Sequence, residues 1–301
     1  MKKLLVIGGL GNIGYHFLKR IENDTTYHTI CIARPSKKNK RLAKKFSNVK
    51  FVWADLFRDN IDSQIKKADV IVNLAAILPP ISEAKKSHSQ VINRDFVQHI
   101  VNISFPSTKI IQMSTTGVKF YNTKSKSIFF AKHYLSGKKE AEDILGKAQN
   151  PYTIIRIPFV FDCKYPTISK NIFNIPLQNK MEFIHTKDVV DSLYLALTQK
   201  KNIITLGGNP QCQITYHTYL TFCFGGIKKF KSSLFTKINY PTDWISTPSV
   251  HQKITFQDMV KETKIKHPFT FLYRKIFGYF IMTNLETKSP YKKSSNKATA
   301  N

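Results

Sequence analysis

The first apolar run of this chain passes directly into Gly8-Gly9-Leu10-Gly11-Asn12-Ile13-Gly14, and an amphipathic stretch comes at once after it. The spacing is G-x-x-G-x-x-G. Glycines permit the tight turn, and they let backbone N–H groups at a helix N-terminus approach a pyrophosphate. The signal carries weight because it lies between a strand and a helix. Gly8, Gly11, Asn12, Ile13 and Gly14 are therefore expected to hold the phosphates of a dinucleotide. The competing reading is an ordinary strand–helix turn, and the context argues against it.

The chain on either side of the loop has the right rhythm for such a site. Short apolar runs at 3–8, 29–33, 49–54, 70–74, 109–114 and 153–157 predict strands. Longer amphipathic stretches at 13–21, 38–46, 61–66, 91–103 and 134–147 predict helices between them. A further helix is expected at 188–198 and a strand at 203–207. Strand–helix alternation at this spacing predicts an α/β fold, a Rossmann-type doubly wound parallel sheet with helices on both faces. That domain is expected to span 1–215, with 159–182 contributing to the substrate side. A smaller C-terminal substrate lobe is expected over 216–284, and a disordered basic tail over 285–301.

The end of the second strand decides between two cofactors. An acid there binds the ribose 2′-OH of NAD, whereas an Arg accommodates the 2′-phosphate of NADP. The chain reads Ile32-Ala33-Arg34-Pro35-Ser36-Lys37-Lys38. There is no acid, and Arg34 opens a stretch to Lys50 with eight basic residues and no acidic one. NADP is expected in preference to NAD.

That stretch is part of a formal net charge of +28, from 47 Lys+Arg against 19 Asp+Glu. Forty of the basic residues are Lys and seven are Arg. Readers of nucleic acid lean on the planar fork of Arg, so this balance argues against a nucleic acid as the partner. A small anionic substrate fits the charge better. A hydrophobic fraction of 42% excludes a disordered basic protein. The four cysteines form no C-x-x-C, and the nine histidines no H-E-x-x-H, so no metal is expected. The sequence predicts no transmembrane helix. The basic-then-apolar N-terminus breaks at Gly8-Gly9 without a small-residue cleavage site, which argues against a secretion signal. A cytoplasmic setting is expected. The aromatic segment 269–282 has two readings, a terminal helix packed on the domain or a peripheral membrane contact.

Tyr134 and Lys138 have the spacing Tyr-x-x-x-Lys. On a helix, residues i and i+4 share a face, so the ammonium can lie near the phenol. A nearby cation favours phenolate and would make the tyrosine a usable acid/base. Spacing alone recurs by chance in so lysine-rich a chain, and Tyr15 and Lys19 repeat it. Position separates the two pairs. Tyr134 comes after the strand ending in Ser114-Thr115-Thr116-Gly117, and a hydroxyl at the carboxyl end of that strand is expected to face the crevice where open α/β sheets bind ligands.

With these motifs in order, residues 1 to about 215 resemble the extended short-chain dehydrogenases/reductases, the superfamily of nucleotide-sugar epimerases, dehydratases and reductases. Gly8, Gly11 and Gly14 match its cofactor loop, and Asp55-Leu56 its adenine contact. Asn73-Leu74-Ala75-Ala76 matches a strand-four signature whose backbone lines the cofactor, and Asn93 an Asn of the fourth helix. Ser114-Thr115-Thr116 and Tyr134-x-x-x-Lys138 match its catalytic elements. The resemblance implies that Tyr134 is the acid/base, that Lys138 binds the nicotinamide ribose and depresses the phenol pKa, and that Thr116 hydrogen-bonds the reacting oxygen, with Thr115 the next candidate. It also implies a homodimer through a helix pair that includes the Tyr134 helix.

The resemblance departs at Arg156-Ile157-Pro158-Phe159-Val160-Phe161-Asp162. There Phe159 replaces an Asn that often contacts a substrate phosphate, and Asp162 replaces a Gly. Met181-Glu182 stands where Arg-Asp is common. Three readings remain open. The favoured one is an oxidoreductase or epimerase acting on a nucleotide-activated sugar. The second is a reductase of a steroid-like or isoprenoid carbonyl at a membrane surface. The third is a non-catalytic Rossmann subunit that binds cofactor, RNA or an assembly partner.

Overall fold

The structure is a computed structural model, and it describes residues 1–79, 81–121, 131–161, 178–200, 202–209, 213–215, 217–218 and 250–251. In chain order the elements begin with β1 (Lys2–Ile7), α1 (Asn12–Ile21), β2 (Tyr27–Ala33), α2 (Lys37–Ala43) and β3 (Val49–Trp53). Next come α3 (Asp62–Lys66), β4 (Val70–Asn73), α4 (Ile81–Ala84), α5 (Lys86–Gln90), α6 (Phe96–Ile103) and β5 (Lys109–Thr115). The long helix α7 (Lys132–Lys147) precedes β6 (Tyr152–Ile157), β7 (Phe159–Phe161), β8 (Lys180–His185) and α8 (Thr186–Ala196). The last described elements are β9 (Ile203–Gly207), β10 (Gln213–Thr215) and the two-residue β11 (Val250–His251).

The main sheet has the order β11-β9-β6-β5-β4-β1-β2-β3, with every pairing parallel. Its central strands β1, β4, β5 and β6 are largely buried on both faces, and this is why they read as continuous apolar runs rather than alternating ones. Along β1, Leu4 and Val6 turn to one face and Leu5 and Ile7 to the other. The first face packs on Phe17, Leu18 and Ile21 of α1 and on Val189, Val190 and Leu193 of α8. The second packs on Ile65 of α3, Phe96, Val97 and Ile100 of α6, and Ala141 and Leu145 of α7. The result is the expected three-layer sandwich.

Strand order reverses at β1. The chain winds outward through β2 and β3, then returns to place β4 on the other side of β1. Neighbouring connections therefore diverge above the carboxyl ends of β1 and β4, which opens a crevice there.

Two features differ from the expectation. The helix predicted over 91–103 is interrupted by a π-helical turn at Val91–Asp95, with α5 before it and α6 after it. Amphipathic periodicity carries no trace of one inserted residue, and such turns are frequent at functional sites. Strands β7, β8 and β10 form a second sheet of order β10-β8-β7, in which β7 and β8 are parallel and β10 is antiparallel to β8. Most of the expected lobe 216–284, the segment 269–282 and the tail 285–301 lie outside the described residues. Among the described residues no helix is long and apolar enough to cross a membrane.

The helix behind the glycine loop is held mainly by its apolar face, and Phe17 is fully buried there. Phe17→Ala is expected to cost about 3–5 kcal/mol of unfolding free energy. Urea titration of both proteins would measure the loss.

Candidate active site

The glycine loop fills the crevice floor. Gly8 has φ +79, and a Cβ on it would stand 3.0 Å from the Ala75 nitrogen, so the ends of β1 and β4 meet here with no room for a side chain. Gly14 is packed as closely, since a Cβ there would lie 2.6 Å from the Gly9 Cα. The loop closes through a Gly11 N–H to Gly8 O bond of 2.9 Å. Gly11 caps α1 without a side-chain hydrogen bond, and the first turn of α1 holds no acid. The early N–H groups of α1 thus carry no competing anion, and Gly11 and Asn12 are exposed. This cradle fits a pyrophosphate.

The other expected cofactor residues ring the same crevice. Arg34 is exposed at the end of β2, where its carbonyl accepts the Ser36 N–H and the Asn39 amide. Across the sheet edge, Ala54 N–H donates to Ala33 O at 3.0 Å, which brings Asp55 and Leu56 level with Arg34. Asp55 accepts the Phe57 N–H in a local turn. Leu74, Ala75 and Ala76 come after β4 and are partly buried. Asn73 fixes their start, accepting the Ala75 N–H and donating to Gln112 at 2.8 Å. Asn93, 1% exposed in the π-helical turn, brackets Ile77 by bonding both its N–H and its carbonyl.

Helix α7 brings Tyr134, Lys138 and Glu142 to one face, at i, i+4 and i+8. Lys138 is 2% exposed and donates to the Met113 carbonyl of β5 at 3.0 Å. Its Nζ lies over the Tyr134 ring, 6.0 Å from the centroid. Burial lowers the Lys138 pKa to about 8, with Glu142 working in the opposite direction. Glu142 is itself buried and forms a two-pronged ion pair with Arg156 of β6 at 2.5 Å. Ser114 donates to the same carboxylate at 2.6 Å.

One expectation changes here, the direction of the Tyr134 pKa. Part of the Tyr134 surface is open, but enough of the molecule surrounds the phenol that burial pushes its pKa above the usual value. The Lys138 ammonium is committed to Met113 and stands over the ring, so it does not reverse this. Ser114 does not face the crevice, because it is buried against Glu142. The Thr115 hydroxyl is also occupied, accepting the Gly117 N–H at 3.2 Å. Thr116 opens the 3-10 turn Thr116–Phe120 and, like Thr115, is partly exposed.

Sequence reasoning missed Glu142, although its register with Tyr134 and Lys138 marks it. It also missed Glu83, whose carboxylate accepts the N–H groups of His133 and Tyr134 at 3.0 and 3.1 Å. No local pattern announces that contact, because it spans about fifty residues.

The chain belongs to the NAD(P)H-binding family, whose profile matches residues 8–200. A comparison with curated proteins finds no match. Solved structures show the fold. UDP-glucuronic acid 4-epimerase from Bacillus cereus is 18% identical with a TM-score of 0.60, over 87% of this chain and 97% of its own. dTDP-glucose 4,6-dehydratase from Bacillus anthracis str. Ames, in complex with NAD, is 19% identical with a TM-score of 0.62, over 87% and 95%. The PbgP3 protein from Burkholderia pseudomallei is 16% identical with a TM-score of 0.66, over 91% and 97%. The fold is the one that these structures share.

The Lys138 geometry makes a stability prediction with a definite sign. Its pKa is about 8 when folded and 10.5 at the ordinary lysine value, so the unfolded chain binds the proton more tightly. Stability from this group is lowest below pH 8 and rises until about pH 10.5. The full span is roughly 3 kcal/mol. Lys138→Met removes the titration, so its stability relative to the wild type should fall by that amount between pH 7 and pH 10.5. Urea unfolding of both proteins across this range would show a flat difference if the assignment is wrong.

Proposed function

We propose that this chain is a nicotinamide-dependent oxidoreductase or epimerase that acts on a nucleotide-activated sugar. The observation that carries the reading is the buried Lys138 ammonium, which lies over the Tyr134 ring and is held by the Met113 carbonyl of β5. Bound NAD(P) supplies the carbon that gives or takes a hydride. The glycine loop and the α1 N-terminus hold its pyrophosphate, Asp55 and Leu56 its adenine end, and the Leu74–Ala76 backbone its middle. Lys138, with a pKa of about 8, is still mainly charged at neutral pH and holds the nicotinamide ribose. Tyr134 transfers a proton at the substrate oxygen, and Thr116 donates a hydrogen bond to that oxygen. A phenol pushed upward by burial is protonated at rest, so it stands ready as the acid towards a carbonyl.

The substrate class is supported by the kinds of protein that share the fold, which include UDP-sugar epimerases and a dTDP-sugar dehydratase. A nucleoside diphosphate also suits a chain of net charge +28. The cofactor preference is this chain's own. Arg34 stands at the end of β2 where NAD sites carry an acid, and this favours NADP. A homodimer through α7 and its neighbour α6 goes with the reading, and sedimentation tests it.

Turnover of a panel of UDP- and dTDP-sugars with NADP+ and NAD+, followed by product chromatography, tests the reaction. Tyr134→Phe is expected to lower kcat by about 100-fold or more, with cofactor affinity unchanged. Full activity in that variant refutes the acid/base role. Arg34→Ala should weaken NADP+ binding by about tenfold through loss of a charge-assisted contact, while NAD+ binding holds. Tighter binding of NAD+ than NADP+ by the wild type refutes the cofactor preference.

A further inference from the structure

Helix α7 has no cap of its own. Ala131 precedes it without a side-chain hydrogen bond, and its first turn contains no acid. A helix end leaves its first N–H groups without intrahelical partners, and an end without a substitute is destabilised. Here the substitute arrives from elsewhere in the chain. The Glu83 carboxylate, on the single-turn helix α4, accepts the His133 N–H through one oxygen and the Tyr134 N–H through the other. Its charge sits at the positive end of the α7 dipole, where an anion is favoured. Ser82 is fully buried and donates to the Glu83 Oε1 at 2.9 Å.

The location gives this cap its consequence. Glu83 belongs to the connection beyond β4, which also carries Ala75 and Ala76. That connection is pinned near its start by Asn73 and Asn93. Glu83 pins it a second time, onto the backbone of Tyr134 itself. Ser89 adds a long contact from its hydroxyl to the His133 carbonyl at 3.4 Å.

We propose that Glu83 is the positioning residue of the Tyr134 site, holding the phenol in register with the segment that lines the cofactor crevice. The role rests on the acid/base reading of Tyr134. A carboxylate that clamps two adjacent amides fixes where the first turn of α7 lies. A displacement of the phenol by a fraction of an ångström would lower the rate of proton transfer without removing any binding contact.

The test uses the full-length protein, NADP+ and whichever nucleotide sugar of the panel it turns over. Glu83→Ala is expected to lower kcat by about tenfold or more, in keeping with the cost of small misplacements in an active site, with KM and cofactor affinity within about twofold. Glu83→Gln keeps the reach and one acceptor oxygen, so it should recover most of kcat. Hydrogen exchange at 132–136 provides a readout apart from activity. Exchange should quicken in Glu83→Ala and lie nearer the wild type in Glu83→Gln. Wild-type kcat in Glu83→Ala, with Tyr134→Phe inactive, overturns the positioning role alone. Retained turnover in Tyr134→Phe overturns the acid/base reading and the positioning role with it. Should Glu83→Ala not fold, Glu83→Gln decides. Loss of kcat as deep as that of Tyr134→Phe, with unchanged exchange, would mean a chemical role for the carboxylate and would overturn the proposal.

Discussion

Placing an ammonium group inside a protein is costly, and the geometry around Lys138 is organised to meet that cost. The group is nearly removed from water and finds one backbone carbonyl, that of Met113. One helical turn further on, Glu142 offsets part of the desolvation electrostatically while tying itself to Arg156 and Ser114. A charge pair in such a place is held only where geometry satisfies it. The Lys138 and Glu142 contacts fasten α7 to β5 and to β6, fixing both its axial position and its rotation. Tyr134 stands one turn nearer the helix start, so the two charges beneath it set the face on which it lies, while its own turn meets the Glu83 carboxylate.

The glycine loop meets the same strand ends from the other side. Gly8 and Ala75 touch because β1 and β4 are adjacent, and β1 and β4 are adjacent because the sheet reverses its winding there. A dinucleotide cradle and a tyrosine–lysine helix are thus brought together by topology rather than by proximity in sequence. Gly14 serves the same end, since α1 can rest on the loop only where no Cβ intervenes.

This division explains what the sequence disclosed. Strands buried on both faces leave long apolar runs, and the predicted strands over 29–33 and 70–74 fall on β2 and β4 within two residues of either end. The glycine loop was legible because its requirements are local: a turn, a close approach and a free helix end. The π-helical turn at Val91–Asp95 was not, because it leaves the apolar pattern of 91–103 almost unchanged. Glu83 was invisible for another reason. Its partners are backbone N–H groups, which every residue but proline possesses, so no side-chain pattern records the contact. The direction of the Tyr134 shift was also missed. The Tyr-x-x-x-Lys spacing places a cation near the ring, but it does not say how much of the molecule encloses the phenol.

The surplus charge can now be apportioned by what the cations do. Several are satisfied within the fold: Lys19 by Glu22, Arg94 by Asp95 and Glu140, Arg156 by Glu142. Others lie over rings, as Lys19 does over Phe46 and Arg20 over Tyr194. With 19 acids against 47 bases, most cannot be paired in this way. The α2 helix illustrates the remainder. It buries none of its residues, holds no acid in its first turn, and places Lys37, Lys38, Lys40 and Arg41 in solvent. Such a surface attracts any anion over roughly a Debye length, about 8 Å at physiological salt. Attraction of that kind raises encounter rates but does not choose among anions. Choice needs a group held at one point of the crevice, which a solvated helix surface does not supply. The lysines of α2 supply such a field and no more.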